Sequence, residues 1–98
     1  MFDKMKGLFQ MQQKMQEVKR VLEDTNYDIQ SPDGLVKITM NGAQEVKAIT
    51  VKDNLTEQEK TRLDGVLKNT FNRSIKRSQE IATQKMQEVT GINIPGLT

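Results

Sequence analysis

The chain has neither cysteine nor histidine in its 98 residues. Without cysteine there is no disulfide framework, no thiol nucleophile and no thiolate metal site. Without histidine it lacks both the commonest general base and the commonest metal ligand. Tryptophan is also missing, and Phe2, Phe9, Phe71 and Tyr27 are the whole aromatic complement. Met, Val, Ile and Leu dominate the apolar residues, which leaves a thin core for one chain. Small domains bury a lower share of their surface, so composition alone points to an oligomer. Apolar runs reach only two or three residues, far short of a membrane span. The opening Met1-Phe2-Asp3-Lys4 does not read as a signal peptide. A reducing, cytoplasmic setting is expected.

Net charge is only +2, but it is unevenly spread. Residues 1–20 and residues 66–90 each carry a net +3, while residues 21–65 carry −4. Two basic ends around an acidic centre suggest a polyanionic partner.

Residues 3–24 read as an amphipathic helix. Met1, Met5, Leu8, Met11 or Gln12, Met15, Val18 and Leu22 recur at steps of three and four. Phe9 and Val21 widen this stripe, and Gly7 is a weak spot. The methionines invite two readings. They are an exposed groove for other proteins or, as the spacing favours, part of a packed core or dimer face.

Asp24-Thr25-Asn26 ends that helix, and strands follow over residues 26–52. Tyr27 and Ile29 share one face of the first. Ser31-Pro32-Asp33-Gly34 is a turn in which proline presets φ and glycine takes a left-handed exit. Val36, Ile38 and Met40 alternate with Lys37 and Thr39. Asn41-Gly42 suggests a type I′ hairpin turn. Val46 is out of parity with Ile49 and Val51, so the third strand has either a bulge or two buried faces. The sum is an antiparallel meander.

Thr56-Glu57-Gln58-Glu59 has the form of a capping box. A helical region over 57–90 follows, with a stripe of Leu63, Leu67, Phe71, Ile75, Ser78, Ala82, Met86 and Val89. Val66, Thr70, Ser74 and Ile81 form a second stripe. Gly91 and Pro95 mark the end and begin a short tail, 91–98. Unbroken, such a helix spans roughly 50 Å, more than three strands can cover. Gly65 and the segment 69–72 are possible breaks. A projecting apolar stripe calls for a partner, most simply a second copy of the chain.

Enzymatic constellations are absent: no glycine-rich phosphate loop follows a strand, and no nucleophile lies near a base. Asp53, Glu57, Glu59 and Asp64 lack calcium-loop spacing and read better as solvated acids favouring a helix start. Arg73, Lys76 and Arg77 share one helix face beside Asn69, Asn72 and Gln79. That face is either an ordinary solvated surface or a phosphate-contacting one. Lys4, Lys6, Lys14, Lys19 and Arg20 are scattered around the first helix.

Three segments in register resemble the YbaB/EbfC family of bacterial nucleoid-associated proteins. They are Met11-Gln12-Gln13-Lys14-Met15-Gln16; Gly34-Leu35-Val36-Lys37-Ile38-Thr39-Met40-Asn41-Gly42 with Glu45-Val46; and Lys85-Met86 through Thr90-Gly91 to Ile94-Pro95-Gly96. The resemblance covers essentially the whole chain, 1–98, as one domain. It implies an α+β fold in the order α-β-β-β-α, an intertwined homodimer with projecting helical arms, and a non-enzymatic role in the cytoplasmic nucleoid. No cofactor, metal, small-molecule substrate or membrane is implied. The implied partner is double-stranded DNA, bound with little sequence preference. Carried onto this chain, the candidate DNA contacts are Lys4, Lys6, Lys14, Lys19, Arg20, Arg73, Lys76, Arg77 and Lys85. The sequence departs from the family at Ser31-Pro32-Asp33, where a glycine-rich approach is usual. It departs again at Thr70-Phe71-Asn72-Arg73-Ser74, which replaces an alanine-rich stretch with Asn-Asp. Two rivals remain: a holdase-type protein-interaction module using the same helices, and a peripheral membrane binder built on Phe2, Met5, Leu8 and Phe9 with Lys4 and Lys6.

Overall fold

The computed structural model describes the backbone of residues 2–91 and the side chains of residues 4–91. Met1, Phe2 and Asp3 as parts of the first-helix pattern, and the Ile94-Pro95-Gly96 ending, lie outside the described side chains. The order is α1 (Phe2–Asp24), β1 (Asn26–Gln30), β2 (Val36–Asn41), β3 (Val46–Val51) and α2 (Glu57–Thr90). The strands form an antiparallel sheet in the order β1-β2-β3.

The first turn has the chemistry expected of it. Gly34 takes φ +76°, and its N–H donates to the Ser31 carbonyl at 2.9 Å. The Ser31 hydroxyl donates to Asp33 at 2.7 Å and accepts the Val36 N–H at 3.0 Å, which fixes the start of β2.

The second turn corrects an expectation. A type I′ turn needs positive φ at both central residues, yet Gly42 is not in that region; Gln44 is, at φ +61°. The Gln44 N–H donates to the Asn41 carbonyl at 3.2 Å, and the Asn41 N–H donates to Glu45 at 3.0 Å. The loop is therefore longer than two residues and exits through a left-handed Gln44. Glycine at 42 answers a different need, which is space. A Cβ there would lie 3.0 Å from Leu22 Cδ2 and 3.1 Å from Ile81 Cγ2. The Gly42 N–H also donates to Leu22 and Thr25 carbonyls at 3.0 and 3.1 Å, satisfying the end of α1.

A bulge resolves the parity of the third strand. Met40 pairs with Val46, whereas Thr39 pairs with Ala48, so Lys47 is the extra residue. Val46, Ile49 and Val51 thereby oppose Met40, Ile38 and Val36 and share their face.

Helix α2 is continuous through Gly65 and the 69–72 segment. Its capping box is complete: Thr56 accepts the Glu59 N–H at 3.1 Å, and Glu59 accepts the Thr56 N–H at 3.0 Å. Leu35, Val36 and Ile38 form the buried centre, with Leu55, Leu63, Val66, Leu67 and Phe71 packed around it. The most buried line of α2 is the polar series Thr70, Ser74 and Ser78, ending in Ile81. The Leu63-Leu67-Phe71-Ile75 stripe, expected to lead, is only half-buried. Small side chains let helix and sheet approach closely. Thr70 and Ser74 keep their hydroxyls satisfied on the carbonyls of Val66 and Thr70, at 2.7 and 2.9 Å.

Past the sheet, α2 is accompanied only by α1, packed through Val18, Val21 and Leu22. This pair makes an arm on a molecule 68 Å long and 25 Å by 16 Å across. The methionine stripe does not form a core within the chain. Met5, Met11 and Met15 are exposed, because one neighbouring helix cannot cover the outer turns of another.

Candidate nucleic-acid interface

Tyr27 fixes the position of α2 over β1. Its hydroxyl donates to the Ser74 carbonyl at 2.5 Å. Burial pushes the phenol's pKa up, against the opposing pull of the Ser78 hydroxyl and the Arg77 charge. One helical turn on either side of Ser74, the outer flank of α2 then presents Arg73, Lys76 and Arg77, all exposed. The three line a shallow depression with Ile29 and Glu80. Arg73 also lines the adjoining cleft, in which the Ser31-Pro32-Asp33 turn faces Asn69 and Asn72. Amide donors and guanidinium groups thus follow one another along one side of the helix.

Their freedom differs. Arg77 pairs with Glu80 at 3.1 Å, half-exposed on both sides, a contact that water and salt weaken. The Arg73 guanidinium reaches the Gln30 carbonyl at 3.4 Å. Lys76 has no ion pair within 4 Å among the described residues. Asp33 forms the acidic rim of the neighbouring cleft, paired with Arg62 at 3.4 Å. The Ser31 hydroxyl and the Leu35 N–H hold its carboxyl below the usual range.

The remaining candidates lie on the arm. Lys4, Lys6, Lys14, Lys19 and Arg20 are exposed along α1 and point in different directions around it. Lys19 stands 4.0 Å from Glu23. Lys85 is half-buried, 3.3 Å from Glu88, and about 120° around α2 from Arg73. It does not join the Arg73–Arg77 face. The basic segments 1–20 and 66–90 nevertheless lie toward the arm and its root, while Glu57, Glu59 and Asp64 occupy the opposite end of α2. Sequence reading noticed Asn69 and Asn72 without giving them a role. Their spacing of four from Arg73 and Lys76 is the signal that puts them on the same flank.

A second surface shares no charge with the first. Only β1 and β2 are roofed by α2. All six residues of β3 are exposed, with Val46, Ile49 and Val51 at 40%, 50% and 36%. They continue the buried face of β2 out to an unpaired edge.

Among the described residues no helix is long and apolar enough to cross a membrane. Nor does any group of three His, Cys, Asp or Glu side chains there suit a metal ion. The fold is that of an uncharacterized Helicobacter pylori protein, HP0035, known from a crystal structure. The match has a TM-score of 0.70 at 23% identity and covers 82% of this chain and 86% of that one. At that identity the likeness speaks for architecture alone. The model of the YbaB/EbfC DNA-binding family matches residues 1–92, nearly the full sequence. The chain belongs to the YbaB/EbfC DNA-binding family.

Proposed function

We propose that the protein is a non-enzymatic, nucleoid-associated homodimer that binds double-stranded DNA largely through phosphates, with little sequence preference. The observation that carries the reading is the exposed Arg73-Lys76-Arg77 face at the root of the arm, with Asn69 and Asn72 beside it. Guanidinium and ammonium groups there neutralise phosphates and release condensed counterions. The amides donate to backbone oxygens, which sets position without reading bases. Lys4, Lys6, Lys14, Lys19 and Arg20 on α1, and Lys85 on α2, extend the positive field along the arm. Their scatter suits a field more than a docking pattern.

Support for the dimer comes from β3. An exposed edge strand with apolar side chains on one face is a template for pairing with another chain. Half-buried Leu63, Leu67 and Phe71 on α2 lie against the same core and add to the apolar area. Pairing two copies through this region doubles the basic faces, so the modest charge of one chain acts twice. A nucleoid location in the cytoplasm follows from such a partner.

The test is fluorescence anisotropy on a mixed-sequence duplex across a salt series, with an unrelated competitor duplex. Binding that weakens steeply with salt and yields to the competitor is the expected result. No binding at low salt would turn the reading toward a protein-interaction role for the same helices.

A further inference from the structure

The arm carries an apolar groove unrelated to its charges. Gly7, Met11 and Met15 of α1 face Met86 and Thr90 of α2 across a hollow of about 280 Å³. Beyond it α1 continues past the end of α2 with Met5, Leu8 and Phe9 exposed at 70%, 66% and 63%. Gly7 sharpens the question. Glycine weakens a helix interior, and no atom of the described structure lies within 4 Å of where its Cβ would be. Nothing described packs into that notch.

The chain itself supplies an occupant. Helix α2 stops beside the groove, where Gly91 takes φ +72° and its N–H donates to the Gln87 carbonyl at 2.8 Å. A left-handed cap of this kind redirects the chain and commonly brings the next apolar residue back onto the last turn, here toward Met86. The seven residues that follow are Ile92-Asn93-Ile94-Pro95-Gly96-Leu97-Thr98, apolar at three positions and without a charged side chain. Pro95 disfavours helix at Ile94 and favours an extended path. In an extended path Ile92 and Ile94 point the same way. Seven residues reach up to roughly 24 Å. Met11 to Met5 is only about 9 Å along a helix.

We infer that residues 92–98 dock in this groove, covering Met11, Met15 and Met86 and filling the Gly7 notch. The start point, the reach and the lack of charge favour this segment over a separate partner.

The test compares the intact protein with a variant ending at Gly91 and with full-length Ile94→Asp. Each is exposed to dilute hydrogen peroxide, and oxidation of every methionine is followed by peptide mass spectrometry. In the intact protein Met11, Met15 and Met86 should oxidise at least three-fold more slowly than in either variant. Buried Met40 should be unchanged throughout, reporting an intact fold. Equal rates in all three proteins would overturn the inference. Protection that grows with protein concentration and survives truncation would overturn it too, giving the groove to a second copy. Should truncation alter Met40, Ile94→Asp decides. Neither outcome depends on DNA binding.

Discussion

Ser78 donates its hydroxyl to the Asn41 carbonyl at 3.0 Å and accepts the Gln44 N–H at 3.2 Å. One small side chain thereby ties the middle of α2 to the hairpin. Asn41 extends the tie, with its amide nitrogen donating to the Glu23 carbonyl at 3.1 Å and to the Glu45 carboxylate at 2.9 Å. Its amide oxygen accepts the Ala43 and Glu45 N–H groups, both at 3.0 Å. The end of α1, the β2-β3 turn and α2 meet at this point, which is the root of the arm.

Replacing Ser78 by Ala leaves the Asn41 carbonyl and the Gln44 N–H without that partner. Loss of about 1–3 kcal/mol is expected from the stranded groups. Gly42→Ala acts nearby through crowding against Leu22 and Ile81, and should cost a similar amount, roughly 1–3 kcal/mol. Urea unfolding followed by circular dichroism measures both. A Gly42→Ala variant as stable as the parent would show that the root yields easily.

Ile49→Lys places a charge in the middle of the exposed β3 face. If β3 joins two copies, sedimentation should give the single-chain mass of 11.2 kDa where the parent gives twice that. Ile49 is already half-exposed, so the chain's own stability should change by no more than about 0.5 kcal/mol. A variant that still dimerises would place the interface elsewhere.

Arg73→Glu combined with Arg77→Glu reverses charge on the α2 flank without touching the core. DNA affinity should fall more than ten-fold. The slope of log affinity against log salt should shrink by roughly 2–4 for a dimer, near one unit for each lost phosphate contact. Unchanged binding at low salt would reject this face as the contact.

Acid should loosen the fold. The Thr56 N–H and Lys52, whose ammonium lies 3.0 Å away, hold the Glu59 carboxyl below its ordinary value of 4.5. A carboxyl with a lowered folded pKa binds protons more weakly when folded than when unfolded. Its stabilisation is complete above the unfolded value and is lost as pH falls through the lowered one. Asp33 follows the same sign below its ordinary 3.8. Glu59→Gln should therefore narrow the gap in melting temperature between pH 7 and pH 3. An unaltered gap would remove Glu59 from the acid response.

Much of this fold was legible because local chemistry and global arrangement agree. Thr56 and Glu59 announced the start of α2, Pro32 and Gly34 the first turn, and Val36, Ile38 and Met40 the buried face of β2. What stayed hidden depended on neighbours distant in sequence. Thr70, Ser74 and Ser78 read as polar, although a helix lying close to strands needs small side chains that satisfy themselves locally. Asn41-Gly42 read as a turn dipeptide, but its geometry answers to Leu22 and Ile81. Periodicity placed the α1 methionines on an inward face, yet could not count how many elements stand beside that helix. For the candidate site, Arg73, Lys76 and Arg77 were found by spacing. Their continuity with Asn69 and Asn72 required knowing where the Ser31–Asp33 turn folds over α2.

The unbroken course of α2 has a mechanical consequence. Twelve residues separate Ser78 at the root from Thr90 at the end, a stiff lever of about 18 Å. With no kink to absorb motion, the direction of the lever is dictated by the body to which it is fastened. In a dimer joined at β3, rotating one body by about 10° would sweep the lever's end through roughly 3 Å. The separation between two such levers is then a property of the sheet junction. An apolar substitution at that junction could change which duplex widths are gripped while every basic residue stayed in place.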